Sequence, residues 1–287
     1  MRNLWRDPIY RVLRKFQYRK NASSYPFISG DTYKKLSDFV FPNFSVFSEL
    51  DLEKLSRAKN AFVEGGISTN LANFLRGRTN SLSGTNLIIH NGDLIPSVHD
   101  FEYLSSLFRR VYSVNWLGDM SNVIPIPIGL ENYDYLRNGK PSDFNRLIKK
   151  GIVECGKRDI SILAAFSLEN NPTQRKQALE EVVRVPGVKL ELNFRSPAGW
   201  RNLIINSRFV LSPPGNGADC HRTWEAIYLG AVPIVKRKFW PFSHLNLPVL
   251  IINDWSDLNE MDFSLELYHS IKEHNQEPLI NFYSMFI

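Results

Sequence analysis

Between residues 212 and 225 the sequence runs SPPGNGADCHRTWE. The apolar run FVL precedes it, and a helical pattern ending in a second apolar run, AVPIV, follows. In a turn between strand and helix, Gly215 and Gly217 put no side chain in the way, so backbone N–H groups can come close to an anion. A helix beginning near Asp219 adds the partial positive charge of its N-terminus. Arg222 offers a two-pronged donor to phosphate oxygens, and His221 is a further donor. Glu225 lies three residues after Arg222 on a neighbouring face, where its carboxylate suits the diol of a ribose. With Asn216 completing the loop, these groups suit a nucleoside diphosphate. The same residues also fit a plainer account: Asp219 caps the helix, Arg222 and Glu225 pair at the surface, and the glycines make a turn. Neither GK[ST] nor GxGxxG occurs here, so this is not a P-loop or a dinucleotide fingerprint.

Two more arginines sit where an anion would be welcome. Arg175 opens the helical pattern PTQRKQALEEVVR over residues 172–184, and a cation is unfavourable for a helix at that end. A phosphate partner would offset that cost, as would plain solvation. Arg195 follows the strand pattern VKLELNF and could instead flank a nucleobase pocket.

The elements that must carry these groups alternate along the chain. NAFVEGG (60–66), NLIIHNGD (86–93), RVYSVN (110–115) and VIPIPIG (123–129) read as strands ending in polar or glycine-rich turns. STNLANFLRG and HDFEYLSSLFRR have apolar residues at helical spacing between them. DISILAAF, VKLELNF, FVLSPPG, AVPIVK and PVLIIND continue as strands, with WRNLIINS and DCHRTWEAIYLG as helices among them. This alternation predicts parallel sheets with helical crossovers. The polar stretch at 137–157 is the expected boundary between two α/β units. The division is 1–145, 146–262, and a helical segment at 263–287 expected to pack back toward the first unit.

Composition sets outer limits. Of 287 residues, 43% are hydrophobic and 22% charged, which suffices for sizeable cores without metal or disulfide staples. The two cysteines, Cys155 and Cys220, form no CxxC pair, so a reducing compartment fits. The formal net charge of +6 is dispersed rather than interleaved with aromatics on one face, which argues against nucleic acid as a partner. Its densest part, DPIYRVLRKFQYR at residues 7–19, reads as a basic amphipathic helix. Such a helix packs on its own domain or touches an anionic membrane surface. No apolar run is long enough to span a bilayer, and the N-terminus lacks a signal-peptide core. The expected location is cytoplasmic, peripheral to the membrane if that helix binds lipid.

The block PPGNGADCHRTWEAIYLGAVPIV resembles the C-terminal-lobe signature of exostosin-like glycosyltransferases, of the kind that build bacterial surface polysaccharides. Upstream, NLIIHNGD, SVNW…VIPIPIGLEN and ENNPTQRKQAL resemble other motifs of that family in the same order, and VLIINDWSDL resembles one downstream. The matches span roughly residues 86–258; the first 80 residues do not align. The resemblance implies the GT-B architecture, with two Rossmann-like domains whose parallel sheets face an interdomain cleft. It implies transfer of a sugar, with inversion, from a nucleotide-diphosphate donor to a glycan or lipid-linked glycan acceptor. No cofactor besides that co-substrate is implied, and no metal. The leaving diphosphate would rest on loop N–H groups and arginines. Donor binding would fall to Gly215, Asn216, Gly217, His221, Arg222, Glu225, Arg175 and Arg195. The acceptor hydroxyl needs a base, for which His90, Asp93 and Glu131 are candidates. Trp116, Trp200, Trp224, Trp240 and Trp255 are sugar-stacking candidates that equally suit a core. A non-catalytic nucleotide- or glycan-binding protein of the same fold is the alternative.

Overall fold

The computed structural model describes residues 23–41, 47–79, 81–93, 95–133, 139–149, 158–193 and 196–274. The basic segment at 7–19, Arg195 and, of the expected boundary at 137–157, residues 137–138 and 150–157 lie outside them.

Two parallel five-stranded sheets organise the chain. The first contains β1 (Phe39–Val40), β2 (Asn60–Glu64), β3 (Leu82–His90), β4 (Phe108–Ser113) and β5 (Val123–Pro125), laid side by side in sequence order. Helices α1 (Gly30–Lys35), α2 (Glu49–Arg57), α3 (Ser68–Leu75) and α4 (Val98–Leu107) precede or connect them. The second contains β6 (Ile160–Ala164), β7 (Val188–Leu190), β8 (Ser207–Leu211), β9 (Val232–Lys236) and β10 (Leu250–Ile252), in the order β7-β6-β8-β9-β10. That order reverses direction between β6 and β8. Doubly wound sheets open a crevice for ligands beyond the strand ends at such a point. Helices α6 (Pro172–Val182), α7 (Pro197–Ile205) and α8 (His221–Tyr228) serve this sheet.

Local chemistry explains where these helices start. Asn171 caps α6 by accepting from Gln174 N–H, and Pro172 takes the first helical position. Ser196 caps α7 by accepting from Gly199 N–H, with Pro197 next. Helix α8 differs: it starts at His221, its N-cap is Cys220, and no side chain caps it. Asp219 is therefore not the cap that the plainer account of this loop makes it. At the ends of the first sheet's strands, Asn91 and Asn115 adopt left-handed backbone (φ 58° and 59°), a region asparagine tolerates better than bulky residues.

One apolar cluster spans the two sheets, and each sheet has a further cluster of its own. Phe27, Ile28, Phe62, Ile88 and Tyr112 from the first half pack in the same cluster as Leu163, Val210, Trp224 and Tyr228 from the second. Phe27 meets Tyr228 edge-on with ring centres 4.9 Å apart, and the Tyr228 hydroxyl accepts from Ile28 N–H at 2.9 Å. Helix α5 (Pro141–Lys149) contains the expected 145/146 division and joins both sides. Its Phe144 packs on Phe27, while its Asp143 pairs with the buried Arg201 of α7 at 3.2 Å.

Helix α9 (Leu265–His274), the described part of the segment expected to pack back toward the first unit, packs on the second sheet; residues 275–287 lie outside the described residues. Phe209 of β8 holds Phe263 and Tyr268, and the Tyr268 hydroxyl donates to Gly230 O at 2.6 Å. These aromatic side chains bury more apolar area against β8 than a charged surface would offer. Among the described residues no helix is long and apolar enough to cross a membrane.

Candidate functional site

One cavity of about 790 Å³ collects residues from the carboxyl ends of strands in both sheets. His90 and Asp93 follow β3, and Glu131 follows β5. Arg175 comes from α6, Gly215, Asn216 and Gly217 from the loop after β8, and His221, Arg222 and Glu225 from α8. All lie on the cavity wall, although the chain distance from His90 to Glu225 spans both halves.

Loop 212–220 is held from behind. Arg175 donates from Nε to Pro214 O at 2.9 Å and from Nη1 to Ser167 O at 2.6 Å. Asn171 donates to Gly215 O at 3.0 Å. The loop's carbonyls are thus tied to α6, while the backbone N–H groups of Asn216, Gly217 and His221 find no protein acceptor among the described residues. Gly217 is required by space: a Cβ there would sit 2.4 Å from the Asn115 side chain. Asn115 Oδ1 in turn accepts from Asp219 N–H at 3.1 Å.

Two cations face the cavity without a carboxylate partner among the described residues. Arg175 is buried, with 4% of its surface exposed, and bonds only to carbonyls. Arg222 is half-buried, and its Nη1 donates to Cys220 Sγ at 3.9 Å. Both guanidinium groups lie near one ring, 6.0 and 5.5 Å from the centre of Phe166. Burial first, and then the like charge of Arg222, pull Arg175 down to about 10. Buried unpaired charge is costly, so this arrangement favours an anion as the missing partner.

Glu225 is not half of a surface pair with Arg222. It is buried, and its Oε2 accepts from Trp200 Nε1 at 2.6 Å. Burial pushes its carboxyl above the usual range, although Trp200, His221, Arg201 and Arg222 pull the other way. Trp200 lines the cavity, whereas Trp116, Trp224, Trp240 and Trp255 are core residues.

The candidate bases differ sharply in surroundings. Both ring nitrogens of His90 are engaged: Nδ1 accepts from Asn91 N–H at 2.7 Å, and Nε2 donates to Pro127 O at 3.1 Å. Burial holds it down to about 4, so it is neutral near pH 7 and ties β3 to the loop after β5. Asp93 is exposed and accepts from Asn216 Nδ2 at 2.9 Å, linking the first half to the glycine loop. Glu131 Oε1 accepts from Asn132 N–H at 3.2 Å and lies 3.5 Å from His221 Nε2. Burial opposes charge on His221, but Glu131, the Gly129 carbonyl, Glu225 and Asp219 together hold its pKa above the ordinary value.

Asp219 was not picked out as a site residue. It is buried, and burial raises it to about 6. Its carboxylate accepts from Ile128 N–H at 2.9 Å, Trp224 Nε1 at 2.7 Å and Cys220 N–H at 2.8 Å. The loop that borders the cavity is thereby also a seam between the halves. Among the described residues, no group of three or more His, Cys, Asp or Glu side chains is placed to hold a metal ion. No protein-family model matches the chain, and no match to a curated protein was found.

Proposed function

We propose that the protein is an inverting glycosyltransferase of GT-B architecture that moves a sugar from a nucleoside-diphosphate donor to a glycan or lipid-linked glycan acceptor. One observation carries this reading. Among the described residues, Arg175 and Arg222 face a cavity between two parallel sheets with no carboxylate in ion-pair contact, beside loop N–H groups that have no protein acceptor. A diphosphate supplies the missing charge. Glu225, fixed by Trp200 one turn deeper, is placed for the ribose hydroxyls.

On this reading the acceptor oxygen attacks the anomeric carbon as the bond to the diphosphate breaks. The bonding electron pair leaves on the phosphate oxygen, where the arginines and loop N–H groups stabilise it. The acceptor proton passes to a base on the opposite wall. Glu131 suits that role better than His90, whose nitrogens both serve the backbone, and better than Asp93, whose carboxylate is held by Asn216. The acceptor would extend from the first-sheet side of the cavity, and assembly of surface polysaccharide is the process such an acceptor implies.

Calorimetry with UDP, GDP, CDP and TDP tests the donor site directly. One of them should bind, and Glu225→Ala should weaken that binding while leaving inorganic pyrophosphate binding intact. Absence of binding by all four would sink the assignment. Binding without turnover across a wide donor and acceptor panel would favour a non-catalytic nucleotide-binding protein.

A further inference from the structure

His221 occupies a position that donor binding alone does not explain. It is the first residue of α8, in the second half, yet its Nδ1–H donates to Gly129 O in the first half at 2.7 Å. Its Nε2 stands 3.5 Å from Glu131 Oε1, which is longer than a hydrogen bond. One nitrogen is therefore fixed, and the other is held only loosely by an opposite charge. The ring also borders the cavity beside Arg222 and the glycine loop. A change in its two side-chain torsions would turn Nε2 from Glu131 toward an anion on that loop.

We infer that His221 is shared: with the cavity empty its Nε2–H pairs with Glu131, and with a diphosphate bound it turns to donate to a phosphate oxygen. This rests on the glycosyl-transfer reading above and adds an order of events to it. While its Oε1 faces His221 Nε2–H, that oxygen of Glu131 is engaged and not free for the acceptor hydroxyl. Arrival of the donor removes that neighbour and leaves a carboxylate ready for the acceptor hydroxyl. His221 is a positioning residue in this scheme, acting through Glu131. The other charged groups around it keep their places: Glu225 and Arg222 on α8, Asp219 before it, and His90 at the end of β3. Glu225 and Asp219 are already committed to Trp200 and to Ile128 and Trp224, so Glu131 is the carboxylate left to trade.

The test follows the imidazole by nitrogen NMR in the full chain labelled at histidine, with His221→Asn assigning its signal among the six histidines. The probes are inorganic pyrophosphate and UDP. In the free protein Glu131→Gln should lower the His221 titration midpoint by about one unit, as loss of a nearby opposite charge does. With pyrophosphate bound, the midpoint should rise and Glu131→Gln should no longer shift it. Glu131→Asp, which keeps the charge but shortens the reach, should give an intermediate response and serves if Glu131→Gln folds poorly. An equal shift with and without pyrophosphate would overturn the sharing, since His221 would then stay with Glu131 throughout. If pyrophosphate binds, and Arg222→Ala weakens it, but His221 does not respond, only the sharing fails. If neither pyrophosphate nor any of UDP, GDP, CDP and TDP binds, the glycosyl-transfer reading fails and takes the sharing with it.

Discussion

Arg222→Ala should weaken anion binding strongly and leave the fold almost unchanged. The two effects come from the same pair of charges. The guanidinium carbons of Arg175 and Arg222 lie 6.0 and 5.5 Å from the centre of Phe166. They are thus at most about 11.5 Å apart, and at an effective dielectric of about 20 they repel by at least about 1.4 kcal/mol. Arg222 is half-exposed, so solvent and salt reduce that figure. Removing it also forfeits its contact with the Phe166 ring, about 0.5–1 kcal/mol. Relief and loss nearly cancel, and the ligand-free protein should change by less than about 1 kcal/mol, or roughly 2–4 °C in Tm. The ligand-bound state has no such compensation. Loss of charge-assisted hydrogen bonds to a diphosphate costs about 1.5–3 kcal/mol, a 10- to 150-fold rise in Kd. Calorimetry of nucleoside diphosphate and pyrophosphate binding, paired with thermal melts of the free protein, reads both numbers. A Tm drop of more than about 5 °C without ligand would show that Arg222 holds the fold rather than waiting for an anion. A Kd change under about threefold would show that no phosphate rests on it.

Trp200→Phe removes the indole N–H from Glu225 while keeping most of the ring. It should weaken nucleoside diphosphate binding by about 1–2 kcal/mol and leave pyrophosphate binding unchanged, measured by calorimetry side by side. His90 and Asp219 should pull the acid stability profile in opposite directions. The folded His90 sits at about 4, below its ordinary 6.5, so its stabilisation is present above pH 6.5 and is lost as pH falls through 4. The folded Asp219 sits at about 6, above its ordinary 3.8, so its contribution is full below pH 3.8 and is lost as pH rises through 6. Urea unfolding between pH 4 and 6 should therefore show stability rising with acid in His90→Gln and falling with acid in Asp219→Asn. Equal slopes in the two variants would refute this.

Much of the site was legible because it is built from strand ends. NLIIHNGD, VIPIPIG and FVLSPPG announced where strands stop, and parallel sheets bring such ends to one side. The residue types after those strands then indicated the chemistry. What could not be read were contacts between residues far apart in the chain. The spacing of Arg222 and Glu225 fitted a surface pair as well as a donor site, and only the contact of Glu225 with Trp200 on another helix excludes the pair. Asp219 looked like a cap, but its carboxylate reaches Ile128 from the other sheet. His90 looked reactive at a strand end, yet its nitrogens are consumed by backbone groups, one of them 37 residues away. The packing of α9 is of the same kind: its Tyr268 meets Phe209, and nothing in local spacing says which sheet supplies the partner.

The Ile28–Tyr228 hydrogen bond joins residues 200 positions apart and closes the core common to both sheets. On a ribosome adding about 5–20 residues per second, Tyr228 is made roughly 10–40 s after Ile28. Through that interval Phe27 and Ile28 lack Tyr228, and for its first half Phe27 lacks the Phe144 ring as well. Synthesis order thus leaves the early half of this protein with an uncovered apolar face, and that half depends on prompt completion, or on a chaperone, to avoid association with other nascent chains.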